Sequence, residues 1–244
     1  MDWTLAIKRN RDQLKDIVLA LFALAKMRVG GSLFTLPRST LAAIMLVLRP
    51  AESAVRRLIV IAAHGLVLKP QPFRSFVILG QRPENPVSAM HPEFGRTRAF
   101  KLFDPLKSFD PEAIWDNDQV TYESGYGLTV STIAHDASLD LQPIDATHIG
   151  QRLNALMRAL ENLPHQARRL ARWQLKRDEA LRSFMLRCEH REPRSTHGWR
   201  PRRLSPMRPG LPPGWRERKI HEIDTVLREC HGLANDLLNA PNTS

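Results

Sequence analysis

The sequence predicts a mainly α-helical protein with a small β-hairpin element in its middle, and three observations carry that expectation. Apolar residues recur at helical spacing over the first 68 residues and again after residue 146. Seven prolines, from Pro70 to Pro111, crowd the stretch between those regions. Six more, at positions 193, 201, 206, 209, 212 and 213, set a last helix apart. The expected organisation is a hydrophobic helical unit at 1–69 and a Pro-rich middle with short strands at 70–143. A long basic amphipathic helix at 144–190, a Pro/Arg-rich linker at 191–217 and a C-terminal helix and tail at 218–244 complete it.

The first helix is expected from Asp2 to about Met27, where Trp3, Ile7, Leu14, Val18, Leu21 and Ala25 keep helical spacing. Its second half is apolar all round, which predicts burial on every side, and Gly30-Gly31 is the expected stop. Two helical pieces follow, about Ser39–Leu48 and Ala51–Leu68, with Pro50 as a break or kink between them. Their apolar faces read as core, and the competing reading is insertion at a membrane interface. In the middle region Phe73–Leu79, Val120–Glu123 and Leu128–Ile133 read as strands, with Ser124-Gly125 as a hairpin turn. The repeated triplets Phe103-Asp104-Pro105 and Phe109-Asp110-Pro111 read as turns whose Phe rings pack back on the helices.

From Ala146 to Arg187 one apolar stripe runs through Leu153, Leu156, Leu160, Leu163, Ala167, Leu170, Leu181 and Met185, with Asp145 as N-cap. The stripe keeps its phase across Pro164, which predicts one kinked helix of roughly 63 Å at ~1.5 Å per residue. Residues 191–217 read as an extended, mobile linker, and Ile220 to Leu238 as a helix that folds back on the long one.

Charge locates the candidate site. Between Gln151 and Arg218 stand 17 basic and 6 acidic residues, whereas the rest of the chain is balanced, so the whole excess of +11 lies in this block. Such asymmetry favours an anionic partner. Arg158, Arg168, Arg169, Arg172, Lys176 and Arg187 fall on the side of the long helix away from the stripe, a row suited to repeating phosphates. In the Pro/Arg segment Arg200, Arg202 and Arg203, with Trp199 and Trp215, suit RNA, because indoles stack on unpaired bases. The leading expectation is a non-catalytic module that binds RNA or DNA. The alternatives are attachment to an anionic membrane through the N-terminal helices, and an adaptor that offers Arg203, Pro206, Pro209 and Pro212 at polyproline spacing to a protein partner.

No cofactor or metal is implied. Cys188, His190, Cys230 and His231 match no zinc spacing, and Cys230 lies on an apolar helix face. Phosphate loops, nucleophile elbows and dinucleotide fingerprints are absent from the sequence. The apolar run Ile17–Ala25 follows Asp2, Asp12 and Asp16, unlike a secretory leader, and no apolar run reaches bilayer length.

The stretches Met1–Ile7, Leu48–Ile59 and His221–His231 resemble a group of uncharacterised bacterial proteins of proteobacterial type with no assigned activity. The resemblance implies a bacterial origin and a cytoplasmic setting, and it carries no function.

Overall fold

A computed structural model of the protein describes residues 3–66, 68, 99–105, 143–189 and 205–239. The expected strands at Phe73–Leu79, Val120–Glu123 and Leu128–Ile133 lie outside these residues, as does the second Phe-Asp-Pro triplet. The described elements are helix α1 (Trp3–Leu24), strand β1 (Thr35–Pro37), helix α2 (Arg38–Ala63), strand β2 (Pro143–Asp145) and helices α3 (Thr147–Glu161), α4 (Leu163–Glu189) and α5 (Glu222–Asn239). The chain is therefore mainly helical with a small antiparallel β element. Its two strands pair Thr35 with Asp145, Leu36 with Ile144 and Pro37 with Pro143, which ties the N-terminal helices to the start of α3.

In α1 the apolar spacing buries Leu14, Val18, Leu21 and Phe22. Burial on every side does not occur, because α1 packs from one side on α2, α3 and α5. Leu19 and Leu24 remain 48% and 46% exposed. The helix ends before the diglycine: Lys26 takes a left-handed φ of 51°. Met27 N then donates to Phe22 O and Lys26 N to Ala23 O, both at 3.0 Å, a Schellman closure. Gly30 and Gly31 instead dock on α3, where the Asn154 amide bonds the N–H of one and the carbonyl of the other at 2.8 Å each.

Helix α2 runs unbroken through Pro50, contrary to the expected division. Proline removes the N–H that would bond the carbonyl four residues back. That carbonyl, Leu46 O, accepts from the Arg216 guanidinium instead. The helix ends at Ala63, short of Leu68, where His64 turns extended and Gly65 takes a φ of +77°. From Pro50 onward α2 is buried almost all round, with α1, α4 and α5 packed on it.

The expected single rod divides at Asn162 into α3 and α4, with Pro164 in the first turn of α4. Proline is well placed there, since first-turn N–H groups have no intrahelical acceptor. The apolar stripe is buried through Leu163, Ala167, Leu170 and Ala171, but Met185 is 63% exposed. The last turns of α4 thus extend past the core.

Residues 205–217 depart from the linker expectation: they form a strap packed over α2 and α5. Pro206 O accepts Asp104 N, and Ser53 Oγ donates to Pro213 O at 2.7 Å. Met207 enters the core, while Phe103 packs edge-on against Trp173 at 4.7 Å between centroids. One contiguous core draws on all five helices, on Phe100 and Leu102, and on this strap. Among the described residues no helix is long and apolar enough to cross a membrane.

Candidate nucleic-acid interface

The arginines divide into those that hold the fold and those that face outward. Arg57 is fully enclosed on α2, and its guanidinium bonds Asp104 Oδ2 at 2.9 Å, Ser53 O at 2.9 Å and His231 Nδ1 at 3.2 Å. Arg56 beside it reaches Glu52 and Asp104, and Arg152 from α3 grips Glu52 at 2.8 and 3.0 Å. Burial pulls the Arg56 pKa below its ordinary value, and Glu52 and Asp104 oppose that pull. Arg216 binds the buried Asp224, whose carboxylate also accepts Ile220 N and His221 N at the start of α5. All of these cations are spent inside the molecule.

Arg168, Arg172 and Lys176 behave differently. They stand exposed on α4 at intervals of four residues, which places them on one face about 6 Å apart along the axis. Among the described residues no carboxylate lies within ion-pair distance of any of the three. The opposite side of the helix is anchored by Ala167, Leu170 and Ala171, so the row is presented on a fixed element. Glu179, also exposed, follows on the same face and ends the positive stretch.

The other residues expected in the site are distributed unevenly. Arg169 is exposed, but it donates to Phe100 O at 2.9 Å and so helps to hold the 99–105 segment. Arg158 belongs to α3, where it bonds Asn154 O and is half-buried. Arg187 lies near the end of α4. Trp215 is half-buried, with the His231 ring 5.7 Å away and the Arg228 guanidinium 4.9 Å over its ring. Trp199, Arg200, Arg202 and Arg203 lie outside the described residues. One cation escaped sequence reasoning: Lys101 is exposed and adjoins Phe100, the residue that Arg169 holds. Nothing in the local sequence marks Lys101, since its neighbour Phe100 meets Arg169 of α4 only through a contact 69 residues along the chain.

The strap and α5 border an open cleft of about 530 Å³, lined by Met207, Arg208, Leu211, His231, Asn235 and Leu238. Burial pushes the Cys230 thiol up to about 12, which makes it an inert member of the core. Among the described residues no group of three metal-ligating side chains comes together. Comparison with protein-family models, curated proteins and solved structures found no match.

Proposed function

We propose that this protein binds polyanions, nucleic acid foremost, through the cationic row of α4. The observation that carries this reading is the exposure of Arg168, Arg172 and Lys176 at four-residue intervals without an acidic partner among the described residues. A guanidinium or ammonium left in that state meets phosphate at little desolvation cost, and each contact releases condensed counterions. Attachment to a membrane draws less support, because Leu14, Val18, Phe22, Ile44 and Leu48 are enclosed in the core. The adaptor reading is weakened in the same way: Pro206 and Pro212 are buried rather than offered to a partner groove.

The test replaces charge without disturbing the helix. The R168Q/R172Q/K176Q variant should bind labelled nucleic acid at least about tenfold more weakly at low salt, since the row's phosphate contacts are lost. Its circular dichroism should match that of the unaltered protein, because glutamine is a good helix former. The companion R200Q/R202Q/R203Q variant should lose less. The reverse ranking would move the site to the Pro/Arg segment, and an unaltered protein that binds neither DNA nor RNA at low salt would end the proposal.

A further inference from the structure

We infer that the polyanion is duplex DNA, held through its phosphates rather than through unstacked bases; this rests on the cationic-row reading above. Proteins that take single strands need aromatic platforms on which bases stack, because a flexible strand gains much of its binding there. The three described tryptophans offer none, since Trp3, Trp173 and Trp215 all pack against the core. Trp173, next to Arg172, has Phe103 edge-on at 4.7 Å and the Arg177 guanidinium 5.4 Å over its ring. Trp215 is held in the same manner by His231 and Arg228. In both, a guanidinium already covers one face of the indole on which a base would stack.

What the described surface of α4 offers is a rigid row. From Arg168 to Lys176 the helix rises about 12 Å, and the major groove of B-form DNA is about 12 Å wide. A helix lying across that groove therefore brings Arg168 to one phosphate backbone and Lys176 to the other, with Arg172 above the groove. A-form RNA has a deep, narrow major groove, which does not match this spacing. Glu179, on the same face, meets the duplex as a repelling charge just past the row. The contacts are to phosphates, so binding carries no base preference of its own.

The full chain should be titrated, at one low salt concentration, against a DNA duplex of about 20 base pairs, each of its strands alone, and the RNA duplex of equal sequence. The DNA duplex should bind about tenfold tighter than either strand, and tighter than the RNA duplex. Glu179→Gln should strengthen duplex binding severalfold, an effect that loss of structure would not produce. Single strands that bind as tightly as the duplex would overturn the inference while leaving polyanion binding intact. An RNA duplex that binds more tightly than DNA would overturn it too. Failure of every probe to bind would instead remove the function on which it rests.

Discussion

Arg57 and Asp104 meet in the middle of the bundle with side-chain exposures of 0% and 1%. Their pairing shows what a local reading of sequence leaves out. In the sequence Arg56 and Arg57 interrupt an apolar stretch and read as charges that keep it from a bilayer. Their neutralising partner is 47 residues distant, in a Phe-Asp-Pro turn whose Phe was legible as a staple and whose Asp was not. Arginine keeps its charge when buried, so removal of its counter-ion leaves an uncompensated cation. Asp104→Asn, which preserves shape, should destabilise the fold by about 3–5 kcal/mol in urea denaturation. A loss below about 1 kcal/mol would mean that water or Glu52 replaces the carboxylate. His231 gives this site a pH dependence. Burial, and then the Arg57 charge, lower its pKa below the ordinary 6.5, against a smaller opposing pull from Asp104. The unfolded chain therefore binds the proton more readily than the native one. The stability contributed by neutral His231 is complete above 6.5 and is lost as pH falls through the lowered native value. Urea midpoints should fall between pH 7.5 and pH 5, and His231→Gln should flatten that part of the profile.

At the scale of elements, helical spacing is legible in the sequence, whereas both prolines behave against their local pattern. Pro164 preserves the phase of the stripe, yet the helix breaks before it, because a first-turn position suits proline better than an interior one. Pro50 looks like a breaker, yet α2 continues, because the carbonyl it orphans is bonded by Arg216 from 170 residues along the chain. No local pattern announces such a partner. The two residues before Arg216, Gly214 and Trp215, supply two further contacts. Trp215 packs on His231, and Gly214 lies so close that a Cβ there would stand 2.7 Å from Pro50 N and 2.8 Å from its Cδ. Gly214 also has a φ of +80°, so only glycine is comfortable at this position. Gly214→Ala should cost about 1–3 kcal/mol through strain and overpacking. Adding Pro50→Ala should recover only part of the loss, since it relieves the Cδ contact and leaves the backbone strain. Additive effects in thermal melts of the single and double variants would show that the two residues do not touch.

For the whole molecule, the mainly helical class and the position of the excess charge were both legible, whereas the use of individual arginines was not. Composition gives every arginine equal weight. Packing sorts them: Arg56, Arg57, Arg152 and Arg216 serve buried or half-buried carboxylates, while Arg168, Arg172 and Lys176 face solvent on a braced helix. The sequence row of six on one rod contracts to three on α4, because Arg158 lies on another helix, Arg169 holds a neighbouring segment and Arg187 stands past the core-packed turns. The most direct test of the cationic row is the salt dependence of duplex binding, measured by fluorescence anisotropy for the unaltered protein and for R168Q/R172Q/K176Q. On logarithmic axes each phosphate contact contributes about 0.9 to the slope, so the variant's slope should be smaller by about 2 to 3 units. A folded variant that binds with an unchanged slope would show that the row is only a solvated face of the helix.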